Sequence, residues 1–180
     1  MNAQEILRQH NACAAAVKWI GKRQPARAWA QCPRGDWMLW IAARVGVDRK
    51  LVVRATCDCV RTALKFVPKG EKRPLVAIQT AERWCRGEAT IEEVRRAAYA
   101  AYAAYAASAA AASAAAAAYA ASAAYAAYAA SAASDAAEAA APAARTKAQK
   151  RCAALVRKRI PWSVVKAAIE DAARGKGGGK

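Results

Sequence analysis

The sequence predicts an all-α protein: a compact bundle of several helices joined to a long alanine-rich helix or helical hairpin. Alanine, which has the best intrinsic helix propensity, makes up 34 of the 48 residues between positions 97 and 144. On both sides of that tract, larger apolar side chains recur at helical spacing, and helix-capping residues precede several of these segments. These observations together favour helices throughout the chain.

The N-terminal part is predicted to begin with one helix over residues 1–20, followed by a loop at 21–25 and a short turn at 26–31. Asp36 is expected to cap the next helix, in which Trp37 and Trp40 occupy inward positions, because a carboxylate at the N-cap accepts hydrogen bonds from free amides. Gly46 is expected to end that helix.

Three further helices are predicted before the alanine tract. Asp48 is expected to cap a helix over residues 49–67, and Pro74 to occupy the first turn of a helix that runs to about residue 86 and ends at Gly87. Thr90 and Glu93 have the spacing of a capping box, in which each side chain accepts a hydrogen bond from the backbone amide of the other. This box predicts a helix that leads into the tract.

The tract itself combines alanine with tyrosine and serine at intervals of three residues. A single helix over residues 91–141 would be about 75 Å long, so it either projects from the bundle or folds back. The interval is interrupted between Ser108 and Tyr119, where we expect any turn. Such a repeat also rotates around a helix, so the tyrosines do not share one face.

The C-terminal part is predicted to contain a basic amphipathic helix over 145–159, a break at Pro161 and a last helix over 163–173. We expect one helical domain over 1–174. It comprises a basic helical core (1–96), an alanine-rich scaffold (97–144) and basic C-terminal helices (145–174). Residues 175–180 are expected to form a flexible basic tail.

The formal net charge is +17, which implies an acidic partner, either an acidic protein or nucleic acid. Residues 1–96 carry 19 Lys or Arg against 9 Asp or Glu, and residues 145–180 carry 11 against 2. The sequence lacks a strongly apolar run that would span a membrane and lacks the order of regions typical of a signal peptide. We therefore expect a cytoplasmic protein.

The candidate binding residues are cations on two predicted helices. Four of them share one stripe of the helix over 49–67, and the others lie on the helix over 145–159. A solvated helix face is the alternative interpretation of both groups. The candidate residues are Lys50, Arg54, Arg61, Lys65, Lys147, Lys150, Arg151, Arg157, Lys158 and Arg159.

No catalytic residue, metal site or cofactor is predicted, and no small-molecule substrate. His10 is the single histidine, and no glycine-rich phosphate loop occurs. Asp36 is interpreted as a helix cap, and Asp58 and Glu82 as partners of neighbouring Arg or Lys. The six cysteines are interpreted as free structural thiols, since none has the spacing of a metal finger.

The six tryptophans are expected mainly at core and helix-junction positions, because each indole ring buries a large apolar area. A pair near Arg34 could instead anchor a partner.

Residues 29–165 resemble a family of helical bacterial and phage proteins described as immunity proteins. The resemblance lies in the segments CPRGDWMLW (32–40), TCDCVR (56–61), WCRGEAT (84–90) and RCAALVRKRIPW (151–162), together with the alanine-rich segment between the last two. It implies a non-enzymatic protein that binds and neutralises a toxin or a defence component. The phage members imply a role in counter-defence.

Three hypotheses of function therefore stand: an immunity or inhibitor protein that binds a partner protein, a basic protein that contacts nucleic-acid phosphates without specificity, and an alanine-rich helix that binds ice or another surface. The rotation of the tyrosines around the helix weakens the third, because surface binding needs a flat, regular row.

Overall fold

The computed structural model describes residues 2–103 and 144–175, and the regular secondary structure in these residues is helical. The α-helices are α1 (Ala3–Gln9), α2 (Ala14–Ile20), α3 (Pro25–Gln31), α4 (Gly35–Arg44), α5 (Arg49–Arg61), α6 (Arg73–Arg86), α7 (Ile91–Ala103), α8 (Ala144–Arg159) and α9 (Trp162–Gly175). A 3₁₀ turn at Leu64–Phe66 lies between α5 and α6. No strand occurs in the described residues, so the all-α prediction is confirmed there.

The centre of the molecule is formed by α4, α5 and α8, each of which packs against the other two. Helix α6 packs on α5 and α7 packs on α6, while α1 packs on α2 and α9 contacts α3. The main core lies between the central helices and α6, and its largest fully buried side chains include Met38, Leu39, Val52, Val60, Ile78, Val156 and Ile160. Segments from both sides of the alanine tract therefore share one core.

A glycine allows α4 and α8 to approach closely. A Cβ atom at Gly35, the first residue of α4, would lie 2.7 Å from Cβ of Cys152 and 2.9 Å from the backbone nitrogen of Ala153. Any other residue would collide with the backbone of α8. The approach positions the N-terminal end of α4 against the middle of α8.

The alanine tract begins within α7. Ala98 and Ala101 are fully buried against Ala77 of α6 and Val94 of α7, so small side chains let these two helices pack closely. The helix predicted to lead into the tract is thus confirmed as far as residue 103. The remainder of the tract, including the turn expected between Ser108 and Tyr119, lies outside the described residues, as does the tail at 176–180.

Several predicted helix ends are confirmed by their hydrogen bonds. The Leu51 amide donates to Asp48 at 2.9 Å, so Asp48 caps α5. The Thr90 amide donates to Glu93 at 2.7 Å and the Glu93 amide donates to the Thr90 hydroxyl at 3.2 Å, which completes the capping box of α7. Gly87 ends α6 with a left-handed φ of 83°.

The N-terminal prediction was wrong in two respects. Residues 1–20 form two helices instead of one, because Asn11 takes a left-handed φ of 58° and turns the chain between α1 and α2. Residues 26–31 are helical within α3, whose first turn contains Pro25.

Two other predictions need correction. Helix α4 begins at Gly35 with Arg34 at the N-cap position, so Asp36 lies in the first turn and pairs with Arg34 instead of capping the helix. The helix predicted over 49–67 ends at Arg61, since the chain tightens into the 3₁₀ turn that follows. The two C-terminal helices lie within a few residues of their predicted bounds.

Candidate functional site

The four cations predicted on one stripe divide between two elements. Lys50, Arg54 and Arg61 lie on α5, whereas Lys65 lies in the 3₁₀ turn after it. Arg54 is half-buried and the other three are exposed. Asp58 interrupts the row between Arg54 and Arg61.

These cations contact neighbouring helices and rings. Arg54 donates to the carbonyl oxygen of Cys85 at 3.3 Å, and Arg61 makes two hydrogen bonds to the Glu82 carboxylate at 2.7 and 2.9 Å. The pairing with Glu82 raises the pKa of Arg61. Both side chains therefore link α5 to α6. The Nζ atom of Lys65 lies 4.7 Å from the ring centroid of Phe66.

The cations of α8 fall into two groups. Arg157 donates to the carbonyl oxygen of Cys32 at 2.8 Å, and Arg159 donates to Asp58 at 2.8 and 2.9 Å, so both help to attach α8 to its neighbours. The second group is exposed and has no carboxylate partner among the described residues; it comprises Lys147, Lys150, Arg151 and Lys158. We call these four the α8 row.

Asp58 and Glu82 pair with arginines, as the sequence predicts, although the partners are distant in sequence. Together with Arg54, Arg86 and Arg159 they line a depression of about 220 Å³. Because three arginines and two carboxylates line it, the depression has a small excess of positive charge.

Every carboxylate in the described residues is either paired with a cation or used to cap a helix. The pairs are Asp36–Arg34, Asp58–Arg159, Glu71–Arg73, Glu82–Arg61, Glu88–Arg86, Glu92–Arg95, Glu170–Lys166 and Asp171–Arg174, and the caps are Glu5, Asp48 and Glu93. The other Lys and Arg side chains that the structure describes have no carboxylate partner. The exposed surface therefore carries an excess of positive charge.

A large apolar cavity lies beside the main core, with which it shares Trp29, Met38 and Val165. Its volume is about 540 Å³, it is partly open to solvent, and its walls come from α1, α2, α3, α4 and α9. Five of the six tryptophans line it: Trp19, Trp29, Trp37, Trp40 and Trp162. We call it the tryptophan cavity.

Arginines lie over three of the lining rings. The guanidinium carbons of Arg23, Arg34 and Arg44 lie 4.8, 4.7 and 5.7 Å from the ring centroids of Trp19, Trp37 and Trp40, respectively. Cation–π contacts of this kind hold the ring orientations while each cation remains near solvent.

Some of the polar groups that line the cavity are hydrogen-bonded within the protein. The Arg34 Nε atom donates to Asp36 at 3.0 Å, and the indole nitrogen of Trp29 donates to the carbonyl oxygen of Ile160 at 3.1 Å. The Trp19 and Trp37 ring centroids are 6.2 Å apart with tilted planes. The walls of the cavity are thus predominantly apolar.

The sequence indicated only part of this site. It singled out a tryptophan pair near Arg34 as a possible anchor for a partner, and Trp37 does lie beside Arg34. The cavity itself was missed, because its walls come from residues as distant as Ala3 and Ile169. The tendency of tryptophan to fall near helix ends was the available signal.

The six cysteines are free, as predicted. Cys13 is exposed and the other five are buried. Burial raises the pKa of the Cys32 thiol, which lines the tryptophan cavity, and burial also raises the pKa of Cys57 in the main core. These buried groups therefore remain neutral thiols at physiological pH.

Comparison of the chain with protein-family models, with curated proteins and with solved structures finds no significant match. Within residues 2–103 and 144–175, each helix is too short or too polar to cross a membrane. In the same residues, no group of three or more His, Cys, Asp or Glu side chains is placed to hold a metal ion.

Proposed function

We propose that this chain is a non-enzymatic binding protein that attaches to an acidic partner protein and neutralises it. The observation that carries the proposal is the commitment of every described carboxylate to an ion pair or a helix cap, which leaves most of the remaining cations exposed and without a carboxylate partner. A surface with such an excess of one charge attracts a partner of the opposite charge and accelerates association.

A protein partner is favoured by the aromatic residues near these cations. Tryptophan and arginine are the residue types that most often dominate the binding energy of protein interfaces. Here three arginines lie over tryptophans that line an open cavity. The resemblance of residues 29–165 to immunity proteins supports neutralisation as the outcome of binding, with a toxin or a defence component as the partner.

The first experiment tests whether the chain attaches to an acidic protein and then whether it neutralises that protein. The full chain with an affinity tag is used to capture proteins from its source cells at low salt, and bound proteins are released at high salt. We expect one stoichiometric acidic protein. That protein is then expressed alone and together with this chain, and growth is measured. We expect growth to fall with the partner alone and to recover on co-expression.

The control for the growth assay is an unrelated basic protein of similar charge. If the control protein also restores growth, the rescue is an effect of positive charge and not of specific binding. The proposal is wrong if no stoichiometric acidic protein is captured, or if co-expression with the captured protein leaves growth unchanged.

The α8 row favours a second candidate function, binding to nucleic-acid phosphates. Its four cations are exposed on one helix and lack carboxylate partners in the described residues. Arginine and lysine side chains in such a row can contact successive phosphates without reading the base sequence. Each phosphate neutralised releases counterions, so the affinity should fall steeply as salt increases.

A matched pair of triple variants tests this second candidate. Lys150→Gln, Arg151→Gln and Lys158→Gln remove three charges from the α8 row. The control, Lys18→Gln, Lys22→Gln and Arg27→Gln, removes the same charge from α2, α3 and the loop between them. We expect the slope of log affinity against log salt for duplex DNA to fall by about 2–3 in the first variant alone. Equal slopes in both variants, or salt-independent binding, would exclude the α8 row as the contact surface.

A further inference from the structure

The tryptophan cavity is too large to be a packing imperfection. Protein interiors are packed at the density of organic crystals and contain few voids larger than a water molecule. At about 540 Å³, this cavity lies within the range of about 300–1,000 Å³ found for ligand pockets. Its partial opening makes the apolar walls accessible to a bound group.

The N-terminal side of the cavity carries an excess of positive charge. Residues 2–31 contain five cations, Arg8, Lys18, Lys22, Arg23 and Arg27, against the single carboxylate of Glu5, which caps α1. Arg44 adds an exposed cation next to Trp40. On α9, which forms another wall, two cations are balanced by Glu170 and Asp171. The N-terminal side therefore complements carboxylates on whatever enters the cavity.

We propose that the tryptophan cavity binds the apolar side chains of an acidic amphipathic helix in the partner protein, an inference that rests on the proposed function. The volume can accept two large apolar side chains one helical turn apart, the spacing at which amphipathic helices present their anchors to a groove. Carboxylates flanking those anchors would lie near the surrounding cations.

The aromatic faces of the cavity favour this occupant over a nucleic-acid base. Bases bind single-strand-binding proteins by stacking on open aromatic faces. Here arginines already lie over the rings of Trp19, Trp37 and Trp40. The faces that the arginines cover offer no stacking surface to a base, whereas apolar side chains need only contact with the cavity walls.

The test uses the full chain and synthetic peptides that contain no tryptophan, so that emission from the lining tryptophans reports binding. The probe peptide is an acidic helix former with leucines at positions i and i+4. One control peptide replaces both leucines with alanine at constant charge, and another replaces the acidic residues with lysine. We expect the probe to bind at least about tenfold more tightly than either control.

Protein variants locate the binding. Ala28→Leu fills the cavity from α3, whereas Ala30→Leu makes the same change on the exposed side of α3. We expect Ala28→Leu to weaken probe binding about tenfold or more and Ala30→Leu to leave it unchanged. Should circular dichroism show that Ala28→Leu is unfolded, Ala16→Leu fills the same cavity from α2.

Removal of one surrounding charge tests the acidic character of the partner. Arg44→Gln is expected to weaken probe binding several-fold and to reduce its salt dependence, while Arg96→Gln, an equal charge change on α7, has no effect.

The inference is overturned if the alanine or the lysine peptide binds as tightly as the probe, if Ala28→Leu and Ala16→Leu bind normally, or if the probe does not bind. Growth rescue that persists in Ala28→Leu would overturn the cavity site while leaving the proposed function intact.

Discussion

The central helices and the N-terminal helices differ in how completely they are packed. In α4, α5 and α8 the side chains of Leu39, Val52 and Val156 are fully excluded from solvent, and α4 meets α8 through a glycine. The helices α1, α2 and α3 instead enclose much of a cavity of about 540 Å³. One chain therefore contains a dense region and an open region next to each other.

Helix length and residue size explain the difference. Helices α1, α2 and α3 have 7 residues each, whereas α5 has 13 and α8 has 16. A helix of two turns presents only two or three inward positions, so the short helices cannot form a continuous apolar stripe. Five indole rings line the space that remains. We infer that stability resides mainly in the central helices and that binding uses the N-terminal ones.

The largest expected effect comes from truncating a side chain in the dense region. Leu39→Ala should lower the free energy of unfolding by about 3–4 kcal/mol, because it removes apolar burial and leaves a cavity. Leu7→Ala, at the wall of the existing cavity, should cost only about 1–2 kcal/mol, since part of its surface already faces open space. Chemical denaturation of both variants measures the difference, and equal losses would contradict the contrast in packing.

The next effect tests the close approach of α4 to α8. Gly35→Ala adds a Cβ within 2.7–2.9 Å of α8, so we expect it to cost about 2–3 kcal/mol. Gly46→Ala is the control: its Cβ has no atom within 4 Å, but its φ of 89° is unfavourable for alanine, so about 1 kcal/mol is expected. A loss for Gly35→Ala no larger than for the control would mean that α4 and α8 can separate without penalty.

A smaller effect of opposite sign is expected from filling the open region. Ala28→Leu adds apolar volume to a wall of the tryptophan cavity and should raise the free energy of unfolding by about 0.5–1 kcal/mol. The same substitution at Ala42, which is fully buried in the main core, should lower it by about 1–3 kcal/mol through overpacking. Thermal unfolding of the two variants checks the signs. Destabilisation by both would show that the cavity walls cannot accept an added side chain.

Local signals made much of the fold predictable from the sequence. The caps at Asp48 and Thr90 and the end of α6 at Gly87 depend on residues within one turn of each helix end. The break at Asn11 was missed because no glycine or proline marks it. Asparagine can adopt the left-handed conformation found here, but in the sequence it cannot be distinguished from a polar residue on a helix surface. Asp36 was misassigned because α4 already begins at Gly35, which places Asp36 inside the first turn, where its carboxylate pairs with Arg34.

The candidate site was less predictable. The basic character of α5 and α8 was visible in the sequence, but the pairing of Arg61 with Glu82 and of Arg159 with Asp58 depends on how distant helices dock. The tryptophan cavity depends in the same way on five separate helices. Such arrangements follow from tertiary packing, and the periodicity of apolar residues along one helix does not predict which distant helices it packs against.

The smallest expected effect concerns acid, and it compares the N-terminal helices with the ends of α6 and α7, where carboxylates have lowered pKa values. Hydrogen bonds from Arg73 lower the pKa of Glu71 to about 2, and hydrogen bonds from Arg86 and Thr90 lower the pKa of Glu88 and Glu93 below the ordinary value. All three lie at the ends of α6 and α7, away from the N-terminal helices.

A carboxyl group whose pKa is lower in the folded state stabilises the fold above its unfolded pKa and loses that contribution as the pH falls through the folded value. For Glu71 the loss should occur between about pH 4.5 and about pH 2. The protection of backbone amides against hydrogen exchange, relative to their intrinsic rate at each pH, should therefore fall at the start of α6 before it falls in α1 and α2. Glu71→Gln should remove part of that pH dependence, whereas Gln79→Glu, which adds an exposed carboxyl in the middle of α6, should retain it. Earlier exchange in α1 and α2 would assign the acid sensitivity to the open region, against the expectation from these pairs.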